Sequence, residues 1–235
     1  DAPAVIAYTG GTTGKAKGVL LSNRAANAIA FQYKYADKVL DFQNGERFLD
    51  IIPPFLAYGL FFGVHMALCT CLEDVLCPDP APERLPELFT KYRPNHLSGG
   101  PLHMEAMTKD KKIQRMNLSF AKTVAYGGDG MNQEWEDEMS KFLKSHQASY
   151  GLMKGYGMTE MAGPVCTSNH KFPVMLPFFC NSIKILDIDT GKELGYDQEG
   201  EICVSGPSMM LEYYKNPEAT REIIFEENGT RWLRT

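Results

Sequence analysis

The chain has 235 residues, 44% of them hydrophobic and 23% charged, with a net charge of −5. That balance belongs to a globular protein long enough for one large domain or two small ones, and its sign offers no basic field to nucleic acid or to an anionic membrane. No apolar run reaches the roughly 18 residues that cross a bilayer. Six cysteines, at 69, 71, 77, 166, 180 and 203, show neither C-x-x-C nor paired metal spacing and read as the reduced thiols of a cytosolic protein. The histidines, at 65, 96, 103, 146 and 170, are scattered rather than clustered as zinc ligands.

In chain order, an apolar strand over residues 4–8 runs into a glycine-rich stretch. Ser22 or Asn23 then caps a helix to about residue 38, with Ala26, Ile29, Ala30 and Tyr33 on its apolar face. Phe48-Leu-Asp-Ile-Ile52 reads as a buried strand stopped by Pro53-Pro54. A helix near 58–70 follows, then a strand over 74–77, a helix over 82–92 and a strand over 95–98. The strand at 122–125 ends in Tyr126-Gly-Gly128, an amphipathic helix covers 133–146, and a strand at 149–152 ends near Gly155-Tyr-Gly157. Alternating helices and strands predict an α/β fold with a mostly parallel sheet flanked by helices. From about Asn181 the pattern changes: Ser182–Leu186 and Glu201–Ser205, with Asp189-Thr-Gly191 as a turn between them, predict a small antiparallel or barrel-like portion. The expected division is residues 1–180 as a nucleotide-binding core and 181–235 as a smaller β-rich part of the same domain.

Ligands of such sheets sit at the loops leaving the carboxyl ends of strands. The stretches at 9–18, 126–130 and 155–160 all carry glycine there, giving three expected walls of one site. The first reads Thr9-Gly-Gly-Thr-Thr-Gly14-Lys-Ala-Lys17-Gly18. Glycines free backbone N–H groups to face an anion, and hydroxyls and a lysine add donors and charge. A Walker loop is excluded, because Gly14-Lys15 is followed by Ala16 and Thr9 stands five residues before Gly14. By composition alone, a polar glycine-rich hairpin is an equal alternative.

Taken together and in order, the motifs resemble those of the adenylate-forming superfamily of acyl-CoA synthetases, luciferases and nonribosomal peptide adenylation domains. The first stretch is similar to T-S-G-T-T-G-x-P-K-G, with Gly10 for Ser and Ala16 for Pro. Tyr156-Gly-Met-Thr-Glu160 resembles Y-G-x-T-E, and Tyr126-Gly-Gly-Asp129 the adenine-side G-G-x. Gly200-Glu-Ile-Cys-Val-Ser-Gly206 and Tyr213-Tyr-Lys-Asn-Pro217 resemble G-E-[LI]-x-V-x-G and Y-x-N-P.

The resemblance implies ATP-dependent activation of a carboxylic acid to an acyl-adenylate, with release of pyrophosphate and then transfer to a thiol, CoA being the expected acceptor. Thr9, Gly11, Thr12, Thr13, Gly14 and Lys17 would cradle the triphosphate, while Lys15 faces solvent. Gly127, Gly128, Tyr156 and Gly157 would hold adenine. Thr159 would donate to the α-phosphate and Glu160 would hold Mg²⁺, so Lys17, Thr159 and Glu160 form the implied catalytic set. Asp129 either points at the nucleotide or ends a turn. In the segment Pro53-Pro-Phe-Leu56-Ala-Tyr58-Gly59, Leu56 replaces a histidine common near the family's acyl pocket. Tyr58 lines that pocket or belongs to an apolar helix face; Gly59 makes room for the acyl chain or lets the helix start close to a strand. The chain stops at Trp232-Leu-Arg-Thr235, before the family's T-G-D. The expectation is therefore a fragment of the large N-terminal domain of a longer enzyme, without its N-terminal part, its ribose-binding aspartate or its C-terminal lid domain with a lysine. Its partners are a small carboxylic acid, a thiol acceptor and the remaining domains, with a carrier protein as the alternative acceptor and a catalytically incomplete ATP/AMP-binding fragment as the alternative role. The Glu-rich run over 218–228 reads as a solvated face.

Overall fold

A strand buried on both faces must place apolar residues at successive positions, and Phe48-Leu49 does so: each residue is buried, in a different core. The computed structural model describes residues 2–9, 16–36, 40–77, 81–168 and 174–235. Among these residues the strands fall into three sheets. In the first, β1 (Pro3–Tyr8), β2 (Gly18–Ser22) and β12 (Glu212–Tyr213) pair antiparallel, with β2 central. The largest runs in the order β4 (Glu73–Leu76), β3 (Arg47–Asp50), β5 (His96–Gly99), β6 (Thr123–Tyr126), β7 (Leu152–Met158), β8 (Gly163–Thr167) and β9 (Leu176–Pro177). Its neighbours from β4 through β7 are parallel, and β7/β8 and β8/β9 are antiparallel. The third is antiparallel: β10 (Ser182–Leu186), β11 (Glu201–Ser205), β14 (Thr230–Arg234) and β13 (Ile224–Glu227).

Two apolar cores lie against the large sheet. One gathers Leu49, Leu97 and Val124 with Phe89, Met104 and Leu143 from the helices Leu85–Tyr92, Pro101–Lys109 and Gln133–Ser145. The other gathers Phe48, Met153 and Val165 with Ile29, Tyr33 and Met66 from the helices Asn23–Tyr35 and Met66–Cys69, and with Leu21, Val204 and Leu233 from the other sheets. The mostly parallel α/β architecture with a small antiparallel sheet is thus present. Ser22 caps the first helix by accepting the Ala25 N–H at 3.1 Å.

Four local readings need correction, and a fifth gains detail. The strand before the glycine stretch is half of an antiparallel hairpin with β2, not a member of the parallel sheet. The segment near 58–70 is a π-helix over Tyr58–His65 continued by an α-turn over Met66–Cys69. Its glycines explain the tight seat: a Cβ on Gly59 would collide with the Ile52 and Pro53 carbonyls, and one on Gly63 with the Asp50 carboxylate. Tyr156 and Gly157 lie inside β7 rather than in a loop beyond it, because Gly157 lets β8 approach too closely for any side chain. The helix Pro101–Lys109 was not expected. The Glu-rich run divides into the helix Pro217–Ile223, capped by Asn216, and β13.

Candidate functional site

β6 delivers the chain to Gly127 and Gly128. Gly127 donates its N–H to the Gly99 carbonyl at 3.1 Å, and a Cβ on it would stand 3.1 Å from the Gly155 oxygen. Gly128 takes φ +84°, a left-handed conformation that costs glycine little. This turn and the middle of β7 enclose a cavity of about 360 Å³, lined by Gly128, Asp129, Gly130, Lys154, Tyr156 and Gly157 among others. Asp129 turns one carboxylate oxygen back to the Gly130 N–H at 2.8 Å, which makes it a turn residue on the cavity rim. Lys154 is held by Glu136 at 3.0 Å. The same carboxylate accepts the Tyr126 hydroxyl, so the cation is already matched.

A second cavity, of about 230 Å³, adjoins the first and shares Gly128, Gly155 and Gly157 with it. Its other walls include Leu56, Ala57, Tyr58, Gly127, Thr159 and Pro164. The register of β7 against β8 shifts between Tyr156 and Gly157, pairing Gly157 with Pro164 and Met158 with Gly163. A Cβ on Gly157 would collide with the Gly163 carbonyl. Tyr58 is bonded through its hydroxyl to Ser98 and stacks on Phe62 at 5.3 Å; burial pushes its pKa up to about 12. Gly59 faces the Ile52–Pro53 backbone and does not line this cavity.

Gly11, Thr12, Thr13, Gly14 and Lys15 lie outside the described residues. At the base of their stretch, the Thr9 N–H donates to the Lys17 carbonyl at 3.0 Å and the Lys17 N–H to Thr9 Oγ1 at 3.1 Å. Lys17 Nζ rests over the Tyr213 ring, 4.8 Å from its centroid. The Tyr213 hydroxyl donates to Glu160 Oε1 at 2.5 Å, and the Met210 N–H donates to the Glu160 carbonyl at 2.7 Å. Glu160 is 7% exposed. Burial, and then the Glu160 bond, push the Tyr213 phenol well above its ordinary range, so it stays a donor. The turn that carries Thr159 and Glu160 ends at Ala162 with φ +58°, a costly conformation for a residue with a Cβ.

Gly127, Gly128, Asp129, Tyr156, Gly157 and Thr159 therefore line two adjoining cavities. Thr9 and Lys17 line neither of them and reach Glu160 through Tyr213. No group of three potential metal-binding side chains occurs among the described residues. Glu160 alone fits Mg²⁺, which binds through one or two carboxylates and takes its other oxygens from phosphates and water; no described hydrogen bond engages Oε2. Sequence reasoning assigned no role to Tyr213, Lys154 or Pro164, and it placed Gly155 only within an expected wall of the site. The only signal for Tyr213 was its place directly before Tyr214-Lys-Asn-Pro217, the stretch that matches Y-x-N-P.

One carboxylate pair belongs to neither cavity. Asp50 is fully buried; Oδ1 accepts the Ile52 N–H at 3.2 Å and Oδ2 has no partner. Burial, helped by Asp74, pushes Asp50 up to about 7. Asp74 on the neighbouring strand also has an unpartnered buried oxygen, and burial pushes it up to about 6.

A mostly parallel sheet with two cavities at its strand ends and a glycine hairpin tied to a buried acid defines a nucleotide-handling α/β protein. The comparisons carry this further: the family model for "AMP-binding enzyme" matches residues 1–214, and the chain belongs to that family of adenylate-forming enzymes. The 4-coumarate-CoA ligase 1 of Narcissus pseudonarcissus is 33% identical over 246 aligned positions, which cover all of this chain and 44% of that protein. The long-chain-fatty-acid-CoA ligase FadD1 of Archaeoglobus fulgidus superposes with a TM-score of 0.83 at 22% identity, covering 98% of this chain and 47% of that one. ATP-bound MatB of Rhodopseudomonas palustris gives 0.81 at 20%, covering 97% and 44%. The likeness to these two structures is one of fold. The chain spans less than half the length of the relatives it matches. No described helix is long and apolar enough to cross a membrane.

Proposed function

We propose that this chain is the nucleotide-holding part of an enzyme that activates a carboxylic acid with ATP and passes the acyl group to the thiol of CoA. The observation that carries this reading is the pair of adjoining cavities that Gly128, Gly155 and Gly157 border in common. On one side, Tyr156 and the 127–130 turn offer a ring and backbone to adenine. On the other, apolar walls and Tyr58 receive the acid. In the reaction, a carboxylate oxygen bonds to the α-phosphorus while the bond to the β-phosphate oxygen breaks and pyrophosphate leaves. Thiol sulfur then bonds to the acyl carbon, the thiol proton is lost to solvent and AMP departs.

Positioning and charge neutralisation do most of such work. Thr159 borders the acid cavity, where a hydroxyl can donate to the α-phosphate. Lys17, with the threonines of its stretch, holds the triphosphate tail and the departing pyrophosphate. Mg²⁺, held by Glu160, would offset charge on the phosphate oxygens. About 230 Å³ of largely apolar space suits a flat aromatic or short aliphatic acid, and the name of the Narcissus relative supports the aromatic choice. Residues 1–180 and 181–235 act as two parts of one domain within the longer enzyme, whose remaining domains are its partners. Carboxylate-dependent exchange of labelled pyrophosphate into ATP by the intact enzyme tests this. Release of γ-phosphate without such exchange would mark an NTPase and end the proposal. Nucleotide binding without turnover by the 235-residue chain alone would mark that piece as a binding fragment.

A further inference from the structure

Lys17 and Glu160 carry opposite charges and both touch one side chain, at its ring face and its hydroxyl, yet no described ion pair joins them. Tyr213 lies between. Its hydroxyl occupies Glu160 Oε1 at 2.5 Å, and its ring face carries the Lys17 ammonium 4.8 Å from the centroid. Tyr213 is itself firmly held: it is 3% exposed and pairs with Val19 of β2. Its N–H donates to Thr220 Oγ1 at 2.9 Å, and the next residue, Tyr214, donates to the Gly18 carbonyl at 2.7 Å. The backbone that presents Tyr213 is thus stitched to the strand that leaves the glycine hairpin.

We propose that Tyr213 is a positioning residue that keeps Lys17 and Glu160 from neutralising each other before nucleotide arrives. The inference rests on the reading above of Lys17 as a triphosphate donor and Glu160 as a metal-facing carboxylate. A direct Lys17–Glu160 pair would consume the charge each needs for its ligand, and a half-buried pair of this kind is hard to separate. The ring offers the ammonium a resting place that a phosphate can outbid, because a cation–π contact is weaker than a charge-assisted bond to phosphate. The hydroxyl satisfies one carboxylate oxygen with a donor that carries no charge and leaves the other oxygen to a cation.

The test uses the intact enzyme with Tyr213→Phe, Tyr213→Leu, Glu160→Gln and Lys17→Ala, and the two Tyr213 variants each combined with Glu160→Gln. Two quantities are read: ATP affinity without Mg²⁺, by calorimetry, and the Mg²⁺ concentration giving half-maximal pyrophosphate exchange. Tyr213→Phe keeps the ring and loses the donor. It should raise the Mg²⁺ requirement roughly fivefold to tenfold and leave metal-free ATP affinity within about twofold. Tyr213→Leu loses both, and should weaken metal-free ATP binding about tenfold, with Glu160→Gln in the same chain restoring it. That rescue is the signature a purely structural role does not give.

A Tyr213→Leu defect that persists beside Glu160→Gln overturns the proposal, as does a Tyr213→Phe enzyme with an unchanged Mg²⁺ requirement. If Tyr213→Leu does not fold, the Tyr213→Phe pair decides: no further Mg²⁺ effect beside Glu160→Gln supports the role, and independent effects overturn it. If Lys17→Ala and Glu160→Gln are themselves silent, the underlying reading falls and the proposal with it. If they act and the Tyr213 variants do not, the proposal alone falls.

Discussion

Asp50→Asn should make the protein more stable at neutral and alkaline pH and remove much of its pH dependence. The wild-type carboxyl is fully buried with Oδ2 unpartnered, and it is pushed from 3.8 to about 7 in the folded state. A folded pKa above the unfolded one means that the native state binds the proton more tightly. The stability Asp50 contributes is therefore complete below about pH 4 and is lost progressively as pH rises to about 7. The full loss corresponds to about 4 kcal/mol. Asparagine cannot ionise, but its amide buries a donor without a partner, at about 1–3 kcal/mol. The net gain at pH 8 should be about 1–3 kcal/mol.

At pH 5 the ionisation cost is smaller by about 3 kcal/mol, so the variant should be no more stable than wild type there. For a chain of this size, 1 kcal/mol moves Tm by about 2–4 °C. The difference in Tm between variant and wild type should thus widen by about 6–12 °C between pH 5 and pH 8. Thermal melts followed by circular dichroism across that range provide the assay. Curves that stay parallel would refute the reasoning, because a side chain that merely packs has no such slope.

Gly157→Ala should cost about 1–3 kcal/mol and abolish nucleotide binding, since the methyl would drive β7 away from the Gly163 carbonyl; denaturant unfolding and calorimetry check both. Lys17→Ala in the intact enzyme should weaken ATP binding by about 1.5–3 kcal/mol, and an unchanged ATP KM and kcat would remove the assignment. Leu56→Ala should enlarge the acid cavity and shift the ratio of kcat/KM values toward bulkier acids by about tenfold, read from a panel of short, long and aromatic acids.

How far the sequence discloses this molecule depends on how local each determinant is. Strands β10 and β11 were legible to the residue, because Ser182–Leu186 and Glu201–Ser205 are short apolar runs bounded by turn residues. The amphipathic helix Gln133–Ser145 was legible because its apolar positions, such as Met139 and Leu143, recur at helical spacing. The helix Pro101–Lys109 was not, since Gly99-Gly100-Pro101 looks like a turn and only Met104 and Met107 are buried within it.

At the site, local signals singled out Gly128, Asp129 and Tyr156, which border one cavity in the fold. That Tyr156 belongs to a strand was hidden by its flanking glycines, which are poor strand formers. Tyr213 and Glu160 are 53 residues apart in the chain, and no local periodicity connects such distant positions. The buried Asp50 was equally unreadable, because it sits within an apolar run that gives no hint of its unpartnered oxygen.

Gly128, Gly155 and Gly157 border both cavities, so the two chambers behave like rooms that share a doorframe. Even a methyl has a cost on that stretch: on Gly157 it would run into the Gly163 carbonyl, and Gly128 already stands at φ +84°. On the proposed function, variation in the bulk of the acid would come instead at Leu56 and Ala57, which border the smaller cavity and not the larger, so that a change there meets one guest and spares the other.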